Sequence, residues 1–171
     1  GYDDYMIGKA GYHPYEHRQF LKDYYSGNYP GSPARGALFS VNEKTGDARI
    51  SGSLAALCGL ESALHTGDPA AIELSVRKIL LMQAHHFFLG GLPMIFYGDE
   101  SAHINDYSYL QDEGKSYDNR WMHRPVIDWS KQEKLEQRKA QILHEIKEKE
   151  DQLQNVQSKE KTVTKQLKIQ T

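Results

Sequence analysis

The sequence predicts an α/β fold for residues 1–129 and a separate, charged helix for the remainder of the 171-residue chain. Three observations carry this reading. A helical pattern that opens at Pro69 and stops at Gly90 runs directly into the short apolar segment "LPMIFYG", and a helix feeding a buried strand is half of a β-α-β unit. Every Tyr, Phe and Trp lies before position 130, and the last Gly and Pro are Gly114 and Pro125. Charge divides at the same place: from Ser130 onward there are ten Lys plus Arg against seven Asp plus Glu, which leaves the first 129 residues near −5 on a chain of net charge −2.

The elements follow in order. Residues 1–33 are rich in Tyr, Gly and His and read as loop, with one short helix from about Glu16 to Tyr25 before the turn-forming "SGNYPGSP". In "ALFSVNEKTGDARIS", Leu38, Phe39 and Val41 face Ala48 and Ile50 across a turn, so a small hairpin is expected. "SGSLAALCGLESALHTG" reads as one helix of about a dozen residues, with a Ser N-cap and Gly67 after its end. The next helix has Asp68 as N-cap and Pro69 at its first position, and Ile72, Val76, Ile79, Leu80 and Phe87 share a core-facing stripe. "LPMIFYG" then predicts a strand buried on both faces, and residues 101–129 form a long polar, aromatic loop of the kind that carries function.

The tail has a different physics. Leu135, Ile142, Ile146, Leu153, Val156, Val163 and Leu167 fit the a and d positions of one heptad frame, interrupted by Lys139, Lys149 and Glu160. This predicts a helix of roughly 55 Å with a weak seam.

Composition excludes several classes. The lone Cys58, in "LAALCGLE", cannot form an intramolecular disulfide and reads as a buried thiol in a reducing, cytoplasmic setting. No apolar run approaches the roughly 18 residues needed to span a bilayer, and no signal peptide is visible, so neither membrane insertion nor secretion is expected. The charge balance offers no basic footprint for nucleic acid. His85 and His86 diverge on a helix and His13 and His17 straddle a proline, so no metal site is expected.

Two clusters could carry chemistry. Asp99 and Glu100 end the predicted strand; they are candidates for acid/base work or for binding sugar hydroxyls, or else a pair that orients the following loop. In "DNRWMHRP", Arg120 and Arg124 flank Trp121 close to Asp118, either as the polar floor of a pocket or as a surface ion pair with a structural Trp. Arg35, on the glycine-flanked "GSPARGALF", is a further single candidate.

"HRQFLKDYYSG", "GSPARGALF", "TGDARISGSLAALCGL", "GGLPMIFYGDE", "NDYSY" and "NRWMHRP", in this order, resemble the C-terminal part of the catalytic barrel of the α-amylase superfamily, in its amylosucrase-like branch. The resemblance covers about residues 1–129. It implies a C-terminal fragment of a (β/α)8 TIM barrel with a loop insertion in residues 1–52, the last helices and strand eight in 53–100, and an active-site loop in 101–129. It implies a retaining enzyme that processes sucrose or α-glucans without a cofactor. It places none of the three reacting carboxylates in this sequence, so no catalytic residue is expected and the chain alone should be inactive. By the same resemblance Arg120 lies at the base of the glucose pocket, Arg18 and Arg35 shape acceptor subsites, and Asp99, Glu100, Asn105 and Asp106 support the site. Sucrose or an α-glucan would be the partner once the missing half is supplied. Beyond "IDWS" only the family's final barrel helix could be represented, the heptad-like run past about Lys149 has no counterpart in the family, and a non-enzymatic coiled-coil module that self-associates and carries a relic of the barrel is the competing expectation.

Overall fold

A computed structural model describes residues 2–167, and the chain divides between Val126 and Ile127 into two compact units. The first contains helices α1 (Tyr2–Lys9) and α2 (Pro14–Ser26), strands β1 (Ala37–Phe39) and β2 (Arg49–Ser51), and helices α3 (Leu54–Leu57), α4 (Leu60–Thr66) and α5 (Pro69–Phe88). Three single 3-10 turns follow, at Asp99–Ser101, Ser108–Gln111 and Asn119–His123.

Local chemistry explains most boundaries. Helix α2 starts at a proline, where the missing N–H costs nothing, and ends at Gly27 in the left-handed region. Strands β1 and β2 form an antiparallel hairpin with Leu38 opposite Ile50. Its turn is organised by Asn42, whose Oδ1 accepts from the Lys44 N–H at 2.9 Å while its N–H donates to the Asp47 carbonyl at 2.7 Å. Ser53 caps α3 by accepting from the Ala56 N–H at 3.2 Å, and Asp68 caps α5 by accepting from the Ala70 N–H at 3.0 Å.

The single helix expected over residues 54–66 is two, broken at Gly59. That residue sits at φ 97°, and a Cβ there would lie 2.9 Å from Pro33 Cβ, so the break is a close approach between two segments far apart in sequence. The core around it is small: Ala55, Leu60 and Ile79, with Leu54, Cys58 and Ile72 packed against them. Of the stripe predicted on α5, Ile79 is 7% exposed and Ile72 joins the core, whereas Leu80 is 62% exposed and Val76 and Phe87 also face solvent. Helix α1 also forms in a region that the sequence reads as loop.

The barrel expectation is overturned. Among the described residues there is one sheet, of two antiparallel strands, and the chain is otherwise mostly helical. Residues 92–97, the predicted strand eight, form no strand: the Met94 N–H donates to His86 Nε2 at 2.7 Å, and Leu92 and Met94 are 93% and 79% exposed. The reason is that a strand exists only through its neighbours. Strands β1 and β2 pair with each other across the turn at 40–48, no further strand lies beside 92–97 among the described residues, and neither a βαβ unit nor a barrel arc forms.

The second unit contains helix α6 (Trp129–Leu167). Asp128 accepts from the Ser130 N–H at 3.1 Å just after the helix begins. One turn apart on its surface, Glu136 pairs with Lys139, worth a few tenths of a kcal/mol, and His144 Nδ1 lies 3.8 Å from Glu148 Oε1. Leu135, Ile142, Ile146, Leu153 and Val156 are all exposed on this helix. The side chains of Glu160, Val163 and Leu167 lie outside the described residues. Among the described residues no helix is long and apolar enough to cross a membrane, and no three His, Cys, Asp or Glu side chains gather as a metal would need.

Candidate functional site

The segment 101–126 is held on the rest of its unit by two asparagines. Asn105, 6% exposed, accepts from the Ser53 N–H through Oδ1 at 2.9 Å, donates from Nδ2 to the Arg35 carbonyl, and donates from its own N–H to Glu61 Oε2 at 3.2 Å. Tyr107 completes the knot: its hydroxyl donates to Glu61 Oε1 at 2.6 Å and accepts from Asn105 Nδ2 at 3.4 Å. Burial and the Glu61 carboxylate push the Tyr107 phenol up from its ordinary pKa, so it stays a donor. Asn119 is the second anchor. Its Nδ2 donates to the Leu38 carbonyl at 2.6 Å and its Oδ1 accepts from Ser51 Oγ at 2.9 Å, which fastens the 119–123 turn to the hairpin.

This fastening places Arg120 over β1. Its guanidinium lies 4.7 Å from the centre of the Phe39 ring. Nε and Nη2 fork onto Asp118, at 2.8 Å to Oδ1 and 2.7 Å to Oδ2, and Asp118 Oδ1 also accepts the Arg120 N–H at 3.0 Å. The hydrogen bonds from Arg120 bring the Asp118 carboxyl down to about 2. Because that value is depressed, the pair is intact at neutral pH and is lost only as pH falls through about 2. Leu38, Phe39, Ser40, Tyr117, Asp118 and Arg120 line an open depression of about 290 Å³. Ser40 holds a positive φ of 50° at its edge, an uncommon conformation for a residue with a side chain. The depression joins an aromatic ring, a fixed guanidinium, a carboxylate and a phenol. Chemically it offers an exposed phenol ring and hydrogen-bonding groups on an open surface, with no nucleophile set beside a base among the residues that line it.

The other expected site residues stand elsewhere. Arg18 pairs with Asp4 and lies 3.6 Å from Asp47. Arg35 turns its head to the Ser32 and Ala34 carbonyls, at 3.2 and 2.8 Å, and to Ser62 Oγ at 3.0 Å, and so ties its own loop to α4. The three arginines therefore have different surroundings. Asp106 closes a local turn by accepting from the Ser108 N–H at 2.8 Å. Glu100 accepts from the Gly98 N–H at 2.7 Å, and Asp99 meets Gln83 at 3.5 Å. Burial, and then Glu100, raise the Asp99 carboxyl above its ordinary value. The pair ends no strand; it shapes a 3-10 turn at the start of segment 101–126.

Asp99 also lines a second cavity of about 300 Å³, with Leu54, Leu57, Phe96, His103 and His123. His123 stacks edge-on against Phe96 at 5.9 Å, and its Nδ1 is buried without a hydrogen-bond partner. Burial, and then Arg124, hold its pKa below the ordinary histidine value. The unfolded chain then binds the proton more readily than the folded one, so stability is full above about 6.5 and falls as pH drops from there through the folded-state value. A series of thermal melts from pH 7.5 to 5 should show this decline, and His123→Gln should flatten it; an unchanged slope in the variant would assign the decline to another group.

Phe39, Asn119, Glu61 and Tyr107 were not singled out by the sequence. Phe39, Tyr107 and Asn119 lie inside the segments "GSPARGALF", "NDYSY" and "NRWMHRP" that carry the resemblance, whereas Glu61 lies in none of those segments. No family model matches the chain.

Proposed function

We propose that residues 1–129 carry sugar-binding surface of an α-glucoside-processing enzyme similar to the amylosucrase-like branch of the α-amylase superfamily. The observation that supports this best is the Arg120 site: a guanidinium locked by Asp118 over the face of Phe39, in an open depression edged by Tyr117. The exposed Tyr117 ring can meet the apolar C–H face of a pyranose, and Arg120 Nη1, which is not part of the fork onto Asp118, can donate to a sugar hydroxyl. The ordered motif set points to sucrose or an α-glucan as the ligand, cleaved with retention by carboxylates that this sequence does not carry. A reducing, cytoplasmic setting accords with the half-buried Cys58, whose thiol pKa burial pushes up.

Titrating the chain with sucrose and with maltooligosaccharides, followed by Trp121 fluorescence, tests the reading. Saturation in the millimolar range is expected, as for an open site, with no release of glucose. A flat response to both sugars would remove the sugar site, and glucose release above a buffer blank would overturn the assignment of the carboxylates to another sequence.

A second reading, an interaction module that self-associates through α6, is favoured by one specific observation. Ile142, Ile146, Leu153 and Val156 recur at heptad spacing along a helix on which all of them are exposed.

A further inference from the structure

We propose that α6 pairs with α6 of a second copy in antiparallel orientation, in the register that sets Lys149 of each copy against Glu160 of the other. The proposal deepens the second reading above and does not depend on the sugar site. The helix is continuous from Trp129 to Leu167, so the heptad frame can be followed along it without a break. Lys139, Ile146, Leu153, Glu160 and Leu167 occupy a positions, and Leu135, Ile142, Lys149, Val156 and Val163 occupy d positions. Residues 160–167 enter through their identity and heptad position alone.

The charged positions choose among the arrangements. In a parallel, in-register pair, a faces a and d faces d. Lys139, Lys149 and Glu160 would then each meet their own copy inside the seam, and like charges so placed oppose association. A parallel pair shifted by three heptads could match Lys139 to Glu160, both in a positions, but it would sacrifice most of the overlap. In an antiparallel pair a faces d, and Lys149 in a d position can meet Glu160 in an a position.

That one match fixes every other layer. It sets Leu153 against Val156, Ile146 against Val163 and Ile142 against Leu167, so each layer from 142 to 167 is either apolar or oppositely charged. Lys139 falls at the fringe of the overlap. The paired length is roughly 37 Å, between three and four heptads, which is the range in which a seam becomes a reliable contact. The lysine stem packs within its layer while its ammonium reaches the glutamate at the edge of the seam. The exposed Ile142, Ile146, Leu153 and Val156 thereby gain cover from the same residue types in the second copy.

Sedimentation equilibrium of the full chain, from about 10 µM to about 500 µM, tests this with Lys149→Glu, Glu160→Lys and the double reversal. The unaltered chain should dimerise. Each single reversal should raise the dissociation constant about tenfold or more, because symmetry places the new like-charge layer in the dimer twice, and the double reversal should restore it to within about threefold. Circular dichroism of dilute samples should show the same helix content in all four chains, since Lys and Glu have similar helix propensity. A chain that stays monomeric throughout would overturn tail self-association altogether. A dimer indifferent to the single reversals, or weakened as much by the double one, would overturn this register and leave self-association standing.

Discussion

Asn105→Ala should lower the unfolding free energy of the first unit by about 3 kcal/mol, because it strands several buried polar groups at once. The Ser53 N–H and the Arg35 carbonyl both lose their partner, and Ser53, 8% exposed, leaves little room for water to replace it. The loss is large for a unit whose core is built on Ala55, Leu60 and Ile79. Urea unfolding followed by Trp121 fluorescence measures it. Asn105→Asp keeps the acceptor for Ser53 but buries a carboxylate against the Arg35 carbonyl and near Glu61, so it should cost at least as much as alanine at neutral pH. Asp106→Asn, which retains an acceptor for the Ser108 turn, should change stability by less than about 0.5 kcal/mol. A loss below about 1 kcal/mol for Asn105→Ala would show that segment 101–126 is held by something other than this residue.

Arg120→Ala should abolish the saturable sugar response, weakening it by at least about tenfold, while leaving stability within about 1 kcal/mol of the native value. The residue is 46% exposed and its bonds serve the depression more than the core, so binding and folding should separate cleanly. Arg120→Lys is expected to fail almost as badly, since an ammonium cannot fork onto both Asp118 oxygens while lying flat on Phe39. Isothermal titration with sucrose and a maltooligosaccharide, beside a urea curve for each variant, checks both halves of the expectation. Native affinity in the alanine variant would take Arg120 out of the sugar site.

How much of this was legible in the sequence depended on how far each interaction reaches. Helix α5 was legible because its start and stop are written locally, in Asp68, Pro69 and Gly90. The hairpin was legible because its turn contains its own hydrogen-bonding residue, Asn42. The ion pair between Asp118 and Arg120 was legible as proximity, two residues apart. The break at Gly59 was not, because it depends on Pro33. Helix α1 was missed because "YDDYMIGK" has no apolar periodicity.

Local patterning determined by itself where helices α2 and α5 run and where the hairpin turns, and composition and charge set residues 130–171 apart from the rest. It also marked 92–97 as a segment suited to a strand, but suitability is a property of one segment and a strand is a property of two. Only the tertiary structure decided that no strand lies beside 92–97, so that among the described residues this segment joins no sheet. It alone brought Phe39 beneath Arg120, through an Asn119 bond that spans 81 positions, and closed Asn105 onto Arg35 across 70. Contacts of that reach have no periodic trace in a sequence, because they are selected by which packed arrangement satisfies the most buried groups together.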